Sequence, residues 1–229
     1  MYPFIILCGG LATRLGEIAV ETPKCLLKLN NKPFLLYQLE YLDKNGAKDV
    51  FLSVGHLSDK FYDFTRNYTF QNINIRLVDD GSEPLGTGGA VKNIIAKINS
   101  PSFVMYGDSF LRINFENIYN AYDVNLGPLI VVYKNDGMYD VSNVYFDGKH
   151  VVYNKTNPSH LANYIDYGIG IYKQSDFKNM GKSFDLSLVQ EHFSNIKKLQ
   201  HFEAKNRFYE IGTPASYKKA EKFFKNYES

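Results

Sequence analysis

The chain begins with an uninterrupted apolar run, Phe4–Cys8, that ends in the glycine pair Gly9-Gly10. Such a run is typical of a strand that is buried on both faces of a parallel sheet. The glycines predict a turn with free backbone N–H groups, and Arg14 and Lys24 place two cations beyond it. These features together indicate a polyphosphate site at the end of the first strand. The turn is not a Walker loop, because no Gly-Lys-Ser/Thr sequence closes it.

Strand-like and helical patterns alternate along the first half of the chain. Strands are predicted at 2–7, 50–54, 73–78 and 102–106, with helices at 33–44, 58–66 and 88–98. This order predicts an α/β fold, a Rossmann-like three-layer sandwich with a mainly parallel, mixed sheet and ligands at the carboxyl ends of its strands.

The pattern changes at about Gly127, where short strands with a turn at Asp147-Gly148 predict antiparallel additions. The elements predicted in this half are strands at 129–133, 143–146, 151–154, 165–172 and 199–204 and helices at 185–193 and 214–225. We expect one domain over 1–229, with a first half (1–126) and a second half (127–229).

Composition excludes several classes of protein. The 229 residues, 45% of them hydrophobic, suffice for one large core. A formal net charge of +2 gives no reason to expect a nucleic-acid partner or an anionic membrane surface. The start lacks the charged region and the length of a signal peptide, so we expect a cytoplasmic protein whose Cys8 and Cys25 are buried, reduced thiols.

A second glycine-rich segment, Glu83-Pro84-Leu85-Gly86-Thr87-Gly88-Gly89, precedes the third predicted helix. Its glycines permit close approach of a flat base and ribose, and the helix presents its N-terminus to that ligand. Alone, the segment is equally typical of a plain turn before a helix. Glu83 is a candidate reader of the base edge, since a carboxylate accepts from the N1 and N2 donors of guanine.

Two acidic residues are candidates for a metal site. Asp108 follows a buried strand, and Glu210 lies between a short strand and a helix that begins at Thr213-Pro214. A carboxylate at such a place needs a cation or good donors. Mg²⁺ favours one or two carboxylates together with phosphate oxygens, so the pair fits a nucleotide-bound ion. Taken singly, each residue also fits a capping or turn role.

The run Gly-Gly-x-x-Thr-Arg-Leu with a trailing Pro-Lys resembles the signature of sugar-1-phosphate nucleotidyltransferases, which join a nucleoside triphosphate to a sugar phosphate. The resemblance extends over nearly the whole chain and implies roles for the residues already described. It implies Arg14 and Lys24 as catalytic phosphate ligands and Asp108 and Glu210 as ligands of Mg²⁺. The nucleotide-binding residues that it implies are Leu7, Gly9, Gly10, Thr13, Glu83, Leu85, Gly86, Thr87 and Gly88.

The departures from the family pattern concern the loop and the metal site. Ala12 stands where many relatives have glycine, so the loop must tolerate a Cβ. Glu210 stands where the family more often has aspartate, and its extra methylene changes the reach of the carboxylate.

The resemblance also implies a single catalytic domain over 1–229, with a nucleotide-binding half (1–126) and a sugar-binding half (127–229) that holds the acceptor. Three segments, 140–144, 154–158 and 165–170, are similar to those of bacterial relatives that act on hexose, muramate or heptose 1-phosphates. The implied sugar-phosphate-binding residues are Asn143, Lys155, Asp166, Tyr167 and Gly168. Lys155 is the candidate for gripping the phosphate, and each residue is also compatible with an ordinary surface role.

The sequence therefore predicts a Mg²⁺-dependent enzyme that makes an NDP-sugar for cell-surface polysaccharide, from an NTP, with a slight preference for GTP, and a sugar 1-phosphate. A homodimer is left open. The alternatives are a UTP-dependent hexose or muramate 1-phosphate uridylyltransferase, a phosphocholine-type cytidylyltransferase, which needs an aromatic cage, and a non-catalytic nucleotide-sugar-binding regulatory protein.

Overall fold

The computed structural model describes residues 2–10, 21–81 and 83–227. The strands in this part of the chain are β1 (Phe4–Leu7), β2 (Lys28–Leu29), β3 (Lys32–Pro33), β4 (Asp49–Val54), β5 (Asn74–Asp79), β6 (Ser102–Tyr106), β7 (Ser109–Phe110), β8 (Leu129–Lys134), β9 (Val144–Asp147), β10 (His150–Tyr153), β11 (Tyr164–Tyr172), β12 (Gln200–Ala204) and β13 (Tyr209–Glu210). The helices are α1 (Phe34–Lys44), α2 (Ser58–Asn67), α3 (Gly86–Ile98), α4 (Phe115–Ala121), α5 (Ser187–Asn195) and α6 (Pro214–Phe224).

The centre of the fold is a parallel sheet in the order β6-β1-β4-β5. Each connection between these strands carries a helix, as parallel neighbours require. β1 is flanked on both sides, so all of its backbone groups find partners. The predicted α/β class and the parallel first half are confirmed.

Helices cover both faces of this sheet. Phe4 and Ile6 of β1 point to the face that carries α1, α2 and α4, whereas Ile5 points to the face that carries α3 and α5. All three side chains are fully buried. The continuous apolar run is thus explained by a strand with a core on each side, which confirms the predicted three layers.

The second half of the chain extends the same sheet rather than building a separate one. β11 lies antiparallel to β6 and also pairs with β8 and β9, and β12 runs parallel to β8. β9 and β10 form the hairpin predicted at Asp147-Gly148, where Gly148 has a φ of +61°. The predicted antiparallel additions are confirmed.

Two helix starts show how local chemistry sets the element boundaries. α6 begins as predicted, with the Thr213 hydroxyl accepting from the backbone N–H of Ser216 and Pro214 in the first turn. α5 begins at Ser187, two residues later than predicted, because the Asp185 carboxylate accepts from the N–H of Ser187. Asp185 therefore lies outside the helix, free to reach other partners.

No helix within 2–10, 21–81 and 83–227 has the length and apolar character needed to cross a membrane.

A buried carboxylate makes the stability depend on pH. Burial raises the pKa of Asp176 from 3.8 to about 6, although the Lys173 backbone N–H and the Lys173 charge oppose the rise. The folded chain therefore binds this proton more tightly than the unfolded chain, so the free energy of unfolding falls as pH rises from about 4 to about 6.

We expect Asp176→Asn to lack this pH-dependent fall in the free energy of unfolding, while its side chain retains an acceptor for the Lys173 N–H. In urea unfolding, the free energy of unfolding of the variant relative to that of the wild type should rise by up to about 3 kcal/mol between pH 4 and pH 7. The exposed Asp147→Asn is the matched control. A difference between Asp176→Asn and wild type that does not change with pH contradicts the assignment.

Candidate active site

Two cavities open at the carboxyl ends of the strands. The first, about 700 Å³, lies over the ends of β1, β4, β5 and β6, where doubly wound sheets hold their ligands. We call it the nucleotide cavity. The predicted residues on its wall are Leu7, Gly9, Gly10, Lys24, Glu83, Leu85, Gly86 and Thr87. Thr13 and Arg14 lie outside the described residues, and their roles stay predictions.

The second cavity, about 450 Å³, lies between β11, β13 and the loop 135–143, and we call it the acceptor cavity. Its wall contains all five residues predicted to bind the sugar phosphate and both predicted metal ligands, namely Asn143, Lys155, Asp166, Tyr167, Gly168, Asp108 and Glu210. The structure thus brings together residues that are up to 102 positions apart, from Asp108 to Glu210.

Three residues, Thr87, Tyr106 and Asp108, line both cavities. The two cavities therefore meet at the Asp108 carboxylate. This is the geometry that a transfer between two bound molecules requires.

Asp108 is held in place by buried contacts. Its Oδ2 accepts from Lys24 Nζ at 2.9 Å, and both side chains are largely buried. The buried Gln38 amide donates to the carbonyls of Tyr106 and Ser109, on either side of the Asp108 turn. Gly107 is required by the turn, because a Cβ there would lie 2.9 Å from the carbonyl oxygen of Leu7.

Glu210 reaches the same place through strand pairing. β13 lies antiparallel to β7 with Glu210 opposite Ser109, and the backbone N–H of Ile211 donates to the Asp108 carbonyl. Glu210 Oε2 accepts from the backbone N–H of Gly212 at 2.8 Å, which fits the turn role that the sequence left open. One carboxylate oxygen remains for another partner.

The donor set fits a Mg²⁺ ion shared with phosphates. Two carboxylates on paired strands border the acceptor cavity, and Asp108 borders both cavities. Within the part of the chain that the structure describes, no three His, Cys, Asp or Glu residues cluster as a closed metal site would need. Mg²⁺ commonly takes one or two carboxylates and completes its shell with phosphate oxygens and water, so Asp108 and Glu210 would hold it beside a nucleotide.

The N-terminus of α3 differs from the prediction. The Gly88 N–H donates to the Phe184 carbonyl at 2.9 Å, and the Gly89 N–H approaches the same oxygen. A Cβ at Gly88 would lie 2.2 Å from the Phe184 ring. The glycines therefore accommodate the segment 182–186 instead of a base, and Gly88 is not on the wall of either cavity. Gly88 therefore has a packing role, whereas Leu85, Gly86 and Thr87 at the same helix end line the nucleotide cavity, and their contact with nucleotide stays a prediction.

Glu83 also differs from the expected environment. Its side chain is 73% exposed and pairs with Lys182 Nζ at 2.6 Å, on the rim of the nucleotide cavity. The sequence argument for base selection needed a buried acceptor that the wrong base leaves unpaired. An exposed carboxylate with a partner carries little of that penalty.

Asp166 lies within a polar network in the acceptor cavity. Its carboxylate accepts from the Gly168 N–H and from Gln190 Nε2, while Asn143 Oδ1 accepts from the Asp166 N–H. Burial raises the pKa of Asp166, and the Gly168, Gln190 and Lys155 interactions lower it in part. Asn143 Nδ2, which has no hydrogen-bond partner among the described residues, and the remaining lone pairs of Asp166 are suited to hydroxyl groups.

Lys155 is paired with Asp185, Nζ to Oδ2 at 2.9 Å, and both side chains are nearly half exposed. Burial of Asp185 opposes its ionisation, but the Lys155 and Ser187 hydrogen bonds outweigh this and lower its pKa. The ion pair with the Asp185 carboxylate thus holds the Lys155 ammonium group over the acceptor cavity. A phosphate in the cavity would compete with Asp185 for it.

Tyr167 is more buried than the other predicted acceptor residues. It is 2% exposed, and its hydroxyl donates to the Asn206 carbonyl at 2.7 Å. Side chains alternate along β11, so Asp166 and Gly168 face the acceptor cavity while the Tyr167 side chain packs in the core. Tyr167 nevertheless lies on the wall of the acceptor cavity, and its contact with sugar phosphate stays a prediction.

Sequence reasoning missed several residues on the cavity walls. Asp80 follows β5, lines the nucleotide cavity and accepts from the Ser53 hydroxyl at 3.1 Å; burial raises its pKa, which the Ser53 hydrogen bond partly offsets. An aspartate after a strand is the same signal that revealed Asp108. Tyr139 and Arg207 line the acceptor cavity, and no local motif marks either one.

Comparison with known proteins identifies the family. Residues 4–168 match the family model described as the MobA-like NTP transferase domain. The chain belongs to this family. The nucleotidyltransferase resemblance and the enzyme class predicted from the sequence are thereby confirmed, and the match runs from β1 through the cavity-facing part of β11.

The relatives of this MobA-like domain protein include two enzymes named D-glycero-alpha-D-manno-heptose 1-phosphate guanylyltransferase. The one from Aneurinibacillus thermoaerophilus is 29% identical, over 97% of this chain and 98% of its own. The one from Campylobacter jejuni is 39% identical, over about half of each chain, 50% and 51%. HddC from Yersinia pseudotuberculosis has a similar structure, with a TM-score of 0.83 at 25% identity over 98% of this chain and 100% of its own, and it has also been solved with GMP-PN.

Proposed function

We propose that this protein condenses GTP with a heptose 1-phosphate, giving a GDP-heptose and pyrophosphate for cell-surface polysaccharide in the cytoplasm. The observation that carries the proposal is the meeting of two ligand-sized cavities at Asp108. One cavity stands over the phosphate-binding end of a parallel sheet, and the other is lined by groups suited to hydroxyls and phosphate. The two named guanylyltransferases support the choice of GTP and heptose.

In the proposed reaction, a phosphate oxygen of the sugar 1-phosphate attacks the α-phosphorus of GTP. The new P–O bond forms as the bond between the α-phosphorus and the bridging oxygen breaks, and pyrophosphate leaves with that electron pair. Negative charge builds on the equatorial and leaving oxygens, so cations at fixed positions accelerate the step. Lys24 would exchange its Asp108 partner for a phosphate oxygen and stabilise the leaving group, together with Arg14.

Asp108 and Glu210 would hold Mg²⁺ at the junction of the two cavities. The ion would neutralise phosphate charge when bound. Asn143 and Asp166 would orient the sugar hydroxyls, and Lys155 would bind the acceptor phosphate.

The base preference tests whether Glu83 reads guanine. Because the Glu83–Lys182 pair is exposed, it is worth less than about 1 kcal/mol, or about fivefold in rate. We expect Glu83→Ala to change the ratio of kcat/KM for GTP to kcat/KM for UTP by less than fivefold. Lys182→Ala, which removes the other partner, is the matched control. A loss of the GTP preference of tenfold or more in Glu83→Ala alone would restore Glu83 as the base reader.

Two alternatives make different demands on the acceptor cavity. A phosphocholine cytidylyltransferase needs open aromatic faces for a quaternary ammonium, but the Tyr139 and Tyr209 rings on this wall already hold the Arg207 guanidinium. A non-catalytic sugar-nucleotide sensor would not need Lys24, Asp108 and Glu210 to converge.

The deciding experiment is a pyrophosphate-release assay of GTP, UTP and CTP against heptose, mannose, N-acetylmuramate and choline phosphates in Mg²⁺. We expect the highest kcat/KM for GTP with heptose 1-phosphate. A preference for UTP with a hexose or muramate acceptor would favour the uridylyltransferase. Product only with CTP and phosphocholine would favour the cytidylyltransferase, and binding without product would favour the sensor.

A further inference from the structure

The acceptor cavity contains an arginine whose environment is unlike that of its other cations. Arg207 lies with its guanidinium 4.4 Å from the ring centroid of Tyr209 and 4.6 Å from that of Tyr139. The Tyr209 ring is itself stacked on Phe223, with centroids 3.7 Å apart and planes 15° from parallel. Four planar groups, from α6, β13, the loop 135–143 and the segment between β12 and β13, thus form one cluster, which we call the Arg207 stack.

The stack is anchored at both ends. Phe223 belongs to α6 and packs beside the buried cluster of α1 and α6 residues. Tyr139 is presented by a loop that the fully buried Asn135 organises, through hydrogen bonds to the Asp140 carbonyl, the Ser142 hydroxyl and the Tyr139 N–H. The two tyrosine rings that contact the guanidinium are therefore each held by neighbouring parts of the fold.

The hydrogen-bonding edge of Arg207 stays open toward the cavity. Nε donates to the Phe208 carbonyl at 3.2 Å, and the two terminal nitrogens have no hydrogen-bond or ion-pair partner among the described residues. By contrast, Lys155 on the same wall already pairs with Asp185. The Tyr139 and Tyr209 rings both lie against the guanidinium, and its two terminal nitrogens are the donors that remain for an anion in the cavity.

A planar guanidinium with a free edge matches two oxygens of a phosphate. We propose that Arg207 binds the 1-phosphate of the acceptor and that Tyr139 and Tyr209 position it for this contact. The inference rests on the proposed function. Arg207 is then a specificity-determining residue that selects phosphorylated sugars. Unlike the flexible lysine side chain of Lys155, the guanidinium of Arg207 is held by the Arg207 stack.

The test compares Arg207→Lys and Arg207→Met with wild type, and Lys205→Met, an exposed neighbour outside both cavities, is the matched control. We expect Arg207→Lys to raise the KM for the acceptor about 10- to 100-fold, because charge without the planar pair of donors does not suffice. The KM for GTP should change less than about threefold, and Tyr139→Ala should give an intermediate effect. Near-wild-type thermal melting checks that each variant folds.

Calorimetry separates this inference from the proposed function. With mannose 1-phosphate and mannose as probes, wild type should bind the phosphate form more tightly, and Arg207→Lys should lose that difference. If no substrate pair is turned over, the proposed function fails while calorimetry still decides on Arg207.

The inference is overturned by any of three results. The first is equal affinity of wild type and Arg207→Lys for mannose 1-phosphate, or no phosphate-dependent binding by wild type. The second is an equal rise of the KM values for acceptor and GTP. The third is an Arg207 effect confined to acceptors that carry a second anionic group.

Discussion

Asp108→Asn is expected to reduce turnover by at least about 10³-fold, a larger loss than we expect from any other single substitution on the cavity walls. The amide keeps the shape of the side chain and an acceptor for the Ser109 hydroxyl, which lies 3.2 Å from Oδ1. It removes the negative charge at the junction of the two cavities, and with it the means of holding a divalent cation beside the phosphates. The loss should appear in kcat more than in either KM.

Two measurements separate this role from a structural one. Melting temperature reports whether the turn that Gln38 and Gly107 hold is intact, and we expect it to stay within a few degrees of wild type. Wild-type pyrophosphate release should stop when the divalent cation is chelated. Asp147→Asn, at an exposed position on β9, is the matched control. Full activity of Asp108→Asn in Mg²⁺ would make Asp108 a structural turn residue.

Lys24→Ala is expected to lower kcat/KM by about 10²–10³-fold, because it removes a charged donor to a phosphate whose charge grows in the transition state. Lys24 is largely buried and meets Asp108 at 2.9 Å, so it is fixed at the junction of the cavities. Arg14→Ala should have a similar effect if its predicted role holds. Lys28→Ala removes an exposed lysine four residues away and serves as the control.

The Lys24–Asp108 pair adds a complication that a double variant resolves. Lys24→Ala leaves the Asp108 carboxylate without its cation, so part of the loss could reflect a displaced carboxylate. In a double-mutant cycle with Asp108→Asn, two independent phosphate and metal roles predict nearly additive losses. A double variant no worse than Asp108→Asn would show that Lys24 acts only through Asp108. Activity of Lys24→Ala within about threefold of wild type would remove it as a phosphate ligand.

The predicted functional residues were located by two different kinds of signal. Lys24 and Asp108 lie beside strand ends in the first half, and their positions follow from the rule that parallel strands meet their ligands at the carboxyl edge. The acceptor residues came from resemblance, and the structure placed all five on one wall but buried Tyr167. Because side chains alternate along β11, Tyr167 lies on the opposite face of the strand from Asp166 and Gly168. Which of the two faces packs in the core depends on the tertiary structure.

The unexpected environment of Gly88 and Gly89 has one cause. Glycines at 86, 88 and 89 indicate close approach of something, and the sequence favoured a base. In the structure the partner at 88 and 89 is the segment 182–186, about a hundred residues further along the chain. Nothing local in the sequence distinguishes a ligand from a distant backbone, because both require the same absence of a Cβ.

The sequence by itself determined the layered α/β class, the parallel core and the glycine turn at the end of β1, since these depend on periodicity and turn chemistry over short stretches. Only the tertiary structure decided which distant groups meet: Glu210 with Asp108 through β7 and β13, Phe184 with the start of α3, and Arg207 between Tyr139 and Tyr209. Such contacts form when strands pair in register and helices pack, so they depend on the whole chain. The junction of the two cavities, on which the proposed function rests, was decided by the tertiary structure for this reason.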